Sequence, residues 1–175
     1  MAKSVFNCFR KTLTCRKIDL KLRLRLTKAY IWSTLLYCCE TWTITSAIEN
    51  RLQAFEMWCY RRILRVSWTE MKRNEEILQM MGTSKCLLQI ITKRQMSYFG
   101  HLARHSDIQW DILDGKVSGK KARGRQRQKW TDRIAKKFQL TQAELRREAQ
   151  DRQRWRSRVA KLRIGDALRQ GKAYR

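Results

Sequence analysis

The chain has 175 residues, with 40 Lys and Arg against 15 Asp and Glu, a formal net charge of +25, and no Pro. Hydrophobic residues make up 43% and include seven Trp, five Tyr and five Phe, which excludes a disordered basic tail and supplies a packed core. No run approaches the ~18 apolar residues of a membrane span and no secretion signal opens the chain, so a cationic helical protein is expected, with a polyanion as its natural partner.

The acid-free segment Met1 to Ile18 sets Val5, Phe6, Phe9 and Leu13 among Arg, Ser and Thr, a composition compatible with organelle targeting. Residues 17–39 open on an alternating run, Leu20, Leu22, Leu24 and Leu26. Their length favours a helix instead, with Ile18, Leu22, Leu26, Tyr30 and Ser33 on one stripe. Glu40 to Thr45 breaks that pattern. Ser46-Ala47-Ile48-Glu49 then reads as a capping box, with the Ser hydroxyl and the Glu carboxylate each accepting from the other's backbone N–H. The helix it opens carries Ile48, Leu52, Phe55, Cys59, Ile63 and Val66 on one face. Asn74 is placed to cap a short helix, Glu75 to Met81, that stops at Gly82. Thr83 or Ser84 is expected to cap the next helix, which buries Leu87, Ile91, Tyr98 and Leu102.

Residues 106–129 change character. A semi-apolar stretch from Asp107 to Gly115 precedes Lys116–Lys129, where seven of 14 residues are basic and none is acidic. Two Gly and like-charge repulsion predict an extended loop. Trp130, Ile134 and Phe138 mark a short amphipathic helix, and Thr141-Gln142-Ala143-Glu144 is a second capping box. One last helix is expected to use Leu145, Ala149, Trp155, Val159 and Leu162, with the pattern fading after Gly165. The predicted fold is all-α: an irregular bundle of about five to seven helices with a basic loop. Its segments are 1–45, 46–105, the loop or linker 106–129, and a basic helical region 130–175.

Catalytic motifs are absent: there is no phosphate-binding Gly-rich loop with Lys-Ser/Thr and no G-x-S-x-G. Asp107, Asp111 and Asp114 read as solvated acids, and Glu75-Glu76 as first-turn charges that offset a helix dipole. The six cysteines, at 8, 15, 38, 39, 59 and 86, show no C-x-x-C spacing, so free thiols are expected. His101 and His105 lie one helical turn apart without further ligands, and neither a metal nor a cofactor is expected. Trp130 and Trp155 read as core residues.

The constructive signal is Lys and Arg interleaved with aromatics, the combination that neutralises phosphates and stacks on bases. Lys116, Lys120, Lys121, Arg123, Arg125, Arg127 and Lys129 are the first candidate nucleic-acid contacts. Arg61, Arg62 and Arg65 form a second set. Residues 116–175 carry net +16 of the charge and residues 1–115 carry +9.

Several segments are familiar together. Leu35-Leu36-Tyr37-Cys38-Cys39-Glu40-Thr41-Trp42-Thr43 resembles the "LLYGcEtWt" box of non-LTR retrotransposon reverse transcriptases of RTE-like and related lineages. Phe55-Glu56-Met57-Trp58-Cys59-Tyr60-Arg61-Arg62-Ile63-Leu64-Arg65-Val66-Ser67-Trp68-Thr69 is similar to their "FEMWcyRRiLRisWt" box. Asn74 to Leu78, Tyr98-Phe99-Gly100-His101, Gly115 to Lys120, and Gly124-Arg125 ahead of Trp130 follow in the same order. Two positions depart from the pattern: Cys38 stands at the family's Gly, and Gln126 where relatives carry Pro or a basic residue. The resemblance implies that Phe6 to Thr43 correspond to the end of a polymerase thumb and the rest to a C-terminal helical region. The palm carboxylates and the endonuclease domain of the parent lie outside these residues. A truncated or degenerate copy, with Met1 an accidental start, is the implied origin.

The expected function is nucleic-acid binding to template RNA or target DNA by a fragment that is not an enzyme by itself, in nucleus or cytoplasm, without membrane or small-molecule partners. The alternatives are a helical protein-interaction module and a mitochondrially targeted basic protein.

Overall fold

The computed structural model describes residues 1–105, 108–114, 123–124 and 129–162. The fold is all-α, with no strand among the described residues. It holds more helices than five to seven, because segments that read as single helices are interrupted. The chain forms two compact units: Met1–Cys38 with Thr45–Ile90, and Cys39–Ile44 with the described residues from Ile91 onward.

The first unit opens with α1 (Ala2–Cys8), α2 (Arg10–Leu13) and α3 (Leu20–Leu26). Asp19 caps α3, its carboxylate accepting from Lys21 N at 3.2 Å. The expected single helix then changes geometry. A π-helical stretch, Thr27–Trp32, follows α3 and leads into the one-turn α4, Ser33–Leu35. The buried stripe also differs from the predicted one. Leu22 and Tyr30 are each 47% exposed, while Arg23, Thr27 and Ile31 face inward. The reason is polar. Arg23 Nη1 donates to Leu13 O at 3.4 Å and Ile63 O at 3.0 Å, satisfying two helix-end carbonyls, and Thr27 Oγ1 donates to Arg23 O.

The long helix α5, Ser46–Leu64, is capped one residue earlier than expected. Thr45, in an extended conformation, accepts from Ile48 N, and Ser46 is already helical. Its inner face buries Leu52, Met57, Cys59, Tyr60 and Ile63. Around it Phe6 meets Trp58 edge-on at 4.9 Å, and Trp32 contacts both Phe55 and Tyr60. The helix ends on Arg65 at φ 59°, and Val66 N closes back on Arg61 O at 3.0 Å. A capped 3-10 turn, Trp68–Glu70, precedes α6, Asn74–Met81. Here Arg73, not Asn74, is the N-cap, because the Asn74 side chain accepts instead from Arg61 Nη2 at 2.9 Å. Gly82, at φ 59°, ends α6 as the sequence predicts.

Neither Thr83 nor Ser84 caps α7, Leu87–Arg104, whose first four residues belong to this unit. Glu56, 1% exposed on α5, does so across the core. Its carboxylate accepts from Cys86 N at 2.7 Å, Leu87 N at 3.4 Å and Tyr60 Oη at 2.9 Å. Burial, and then the nearby Glu56 charge, raise the pKa of Tyr60 and push that of Cys86 up to about 11, so both stay protonated.

Cys38 closes the first stretch of this unit at φ 53°, in the left-handed region. That is the position where the resembling family carries Gly, and a side chain there costs about 1 kcal/mol. Cys38→Gly is therefore expected to raise stability by about 1 kcal/mol in urea denaturation, whereas an unchanged midpoint would show the turn to be unstrained.

The second unit consists of α7 from Ile91 on, α8 (Ile108–Asp114), α9 (Trp130–Phe138), α10 (Gln142–Gln150), α11 (Arg152–Lys161) and a 3-10 turn, Cys39–Thr41. Met96, Phe99, Trp110, Ile134, Leu145 and Trp155 are the centre of its core. Leu145, Ala149, Trp155 and Val159 are buried as predicted, but on two helices. The carboxylate of Asp151 accepts from Gln153 N and Arg154 N and starts a new helix. The Thr141–Glu144 capping box is present as read from the sequence, with Thr141 N donating to Glu144 Oε2 at 2.7 Å. The segment Cys39–Ile44 is held by polar side chains. Gln95 Nε2 donates to Cys39 O and Trp42 O, and Trp130 Nε1 donates to Glu40 O at 2.8 Å.

Candidate nucleic-acid interface

The α5 sequence places Arg61, Arg62 and Arg65 in its last turn and cap, where cations complement the helix dipole. The left-handed turn at Arg65 swings the chain into Ser67-Trp68-Thr69-Glu70. That turn is fixed by its own box: Thr69 N donates to Ser67 Oγ, and Ser67 N donates to Glu70 Oε1 at 2.8 Å. Trp68 is consequently displayed at 85% exposure on a hydrogen-bonded turn.

A groove of about 550 Å³ results, lined by Arg10, Arg61, Arg62 and Arg65 with Trp58 and Trp68. No carboxylate is among the described residues that line it. Trp58 and Trp68 also line a second groove of about 670 Å³, with Met71, Lys72 and Lys85, again with no carboxylate among the described lining residues. Arg62 lies over the Trp58 ring, 4.8 Å from its centroid, and Lys3 at 5.5 Å. Glu70, two residues beyond Trp68, pairs with Lys72 at 2.7 Å. That hydrogen bond, and then the one from Ser67 N, hold its carboxyl below the usual range. Four guanidinium groups, with no acid among the described lining residues, and an exposed indole suit a chain of phosphates with stackable bases.

The structure sorts the predicted residues. Arg62 and Arg65 are exposed in the groove. Arg61 is half-buried and ties α5 to the approach to α6, donating to Lys72 O at 3.1 Å and Asn74 Oδ1. Arg123 and Lys129 are exposed. Lys116, Lys120, Lys121, Arg125 and Arg127 lie outside the described residues. Arg10, Trp58, Trp68, Lys72 and Lys85 were not singled out from the sequence. Trp68 carried a signal, an aromatic between Ser and Thr beyond the end of the apolar period, while Arg10 lies 51 residues from Arg61 and carried none.

His101 and His105 rings lie 4.5 Å apart, and no cluster of three or more His, Cys, Asp or Glu that could hold a metal occurs among the described residues. No helix among them is long and apolar enough to cross a membrane.

The chain is 26% identical over 140 residues to an uncharacterised transposon-derived protein of Caenorhabditis elegans, an alignment covering 77% of this chain and 50% of that protein. It thus spans about half the length of that relative. The likeness supports a transposon-related origin. No family model matches the chain, and no solved structure is a significant match.

Proposed function

We propose that the chain is a nucleic-acid-binding module derived from the C-terminal, thumb and post-thumb part of a non-LTR retrotransposon reverse transcriptase, which holds template RNA or target DNA. The observation that carries this reading is the groove of Arg10, Arg61, Arg62 and Arg65, with no carboxylate among its described lining residues, beside the exposed Trp68. The net charge of +25 acts in the same direction, and the likeness to a transposon-derived protein fits the origin. The module supplies grip, not chemistry, and no primer extension with Mg²⁺ is expected from it alone.

Salt titration tests the reading. Six to ten phosphate contacts lose about 10³ to 10⁵ in affinity between about 50 and 200 mM salt. Fluorescence anisotropy with a short RNA and a short DNA is expected to show that steep slope for at least one of them. Absence of binding to both at the lowest salt would overturn the proposal.

A further inference from the structure

The second unit carries its own basic cluster. Along one face of α7 lie Lys93, Arg94, Tyr98, His101 and Arg104, and α11 adds Arg152 and Arg156. Together they line a groove of about 630 Å³ whose apolar floor includes Trp155 and Val159. Among the described lining residues Glu40 is the one carboxylate, and it sits 3.7 Å from Arg94, while Lys93, Arg104, Arg152 and Arg156 add four further cations. On α7 the cations run from residue 93 to residue 104, roughly 16 Å of helix, so the charge forms a track rather than a point.

Arg104 fixes the geometry. Its Nη1 donates to Ala149 O at 2.8 Å, anchoring the guanidinium to the end of α10. Burial, and then the like charges of Arg152 and Arg156, lower its pKa, so the cluster works against its own ionised form. Like charges gathered on a formed surface are destabilising until a polyanion neutralises them. Trp155 holds the floor in place, its Nε1 donating to Met96 O at 2.9 Å.

We propose that this groove of α7 and α11 is a second binding site, for the phosphodiester backbone of a nucleic acid. Arg104, Arg152 and Arg156 meet phosphates at one end, and Lys93 at the other. The inference rests on the nucleic-acid reading given above and adds a site to it. Arg104 is pre-positioned by its backbone bond. Arg152, Arg156 and Lys93 are exposed and close on the ligand.

The test is Arg152→Gln combined with Arg156→Gln in the full chain, read by anisotropy with whichever of a short RNA or DNA the wild type holds more tightly. Both positions are exposed, and Gln keeps the helix propensity. The melting temperature is expected to stay constant or rise, as repulsion is relieved. Affinity is expected to fall about tenfold near 0.1 M salt, with a salt slope shallower by about 1.4 for a single strand or about 1.8 for a duplex. Lys93→Gln, on the other helix, is expected to weaken binding about threefold. Inorganic phosphate at matched ionic strength is expected not to displace the oligonucleotide, whereas displacement would mark a free-anion site and overturn the proposal. Equal affinity for a poly-glutamate of matched charge would overturn it too. Unchanged affinity and slope in both variants, while the wild type binds, would remove this second site alone. Failure of the wild type to bind any oligonucleotide would remove the functional reading with it.

Discussion

Gly100→Ala is expected to cost the second unit about 3 kcal/mol, or to prevent it from folding. A Cβ at this position would fall inside the van der Waals shell of Trp155 Nε1 and Cδ1. The indole cannot retreat. It is 2% exposed, bonded to Met96 O, and packed against Phe99 and Phe138 at 5.7 Å each. Close packing turns such an overlap into backbone shifts rather than compression. Urea denaturation followed by circular dichroism measures the loss. A cost below about 0.5 kcal/mol would mean that the indole has room and that Gly100 is incidental. Adding Trp155→Leu supplies the internal control. If Gly100 exists to seat the indole, the double variant loses less than the two single losses combined.

Glu56→Ala is expected to destabilise the first unit by about 3 kcal/mol, because the buried carboxylate serves three donors at once. Truncation strips Cys86 N and Leu87 N, at the start of α7, of the acceptor they share, and takes the Glu partner from Tyr60 Oη. Glu56→Gln keeps an oxygen for the strongest of these bonds and is expected to lose clearly less. Equal losses for the two substitutions would show that charge, not acceptor geometry, matters at this position. Chemical denaturation of both variants separates the cases.

These two residues also mark how far the sequence was legible. Local signals were readable. Gly82 ends α6 in the left-handed conformation, and Thr141 and Glu144 close their capping box, because both motifs are complete within a few residues. The cap of α7 was not readable, since its acceptor lies 30 residues earlier on another helix. Asn74 shows the same limit: its side chain is drawn off by Arg61, 13 residues away. The stripe of Ile18, Leu22, Leu26, Tyr30 and Ser33 is not the buried face, for a related reason. Arg23 is taken inward to bond Leu13 O and Ile63 O, and the π turn after Leu26 departs from the 3.6-residue period assumed by the pattern. Of the candidate interface, the α5 arginines were legible as a cationic run. The groove was not, because Arg10 and Trp68 join them only through tertiary packing.

In the function proposed above, the groove at the end of α5 grips a nucleic acid through charge on a pre-formed surface. Arg65 makes a clean test possible, because its left-handed conformation suits Gly better than Arg. Arg62→Gln with Arg65→Gly removes two groove charges. The Gly relieves about 1 kcal/mol of backbone strain against about 0.5–1 kcal/mol lost from the Arg62–Trp58 stack. Binding of a short RNA or DNA by this variant, measured beside its melting temperature, is the most direct measurement. The expected result is an affinity at least tenfold weaker near 0.1 M salt, with a shallower salt slope and a melting temperature that does not fall. Wild-type affinity and slope in the variant would contradict the claim.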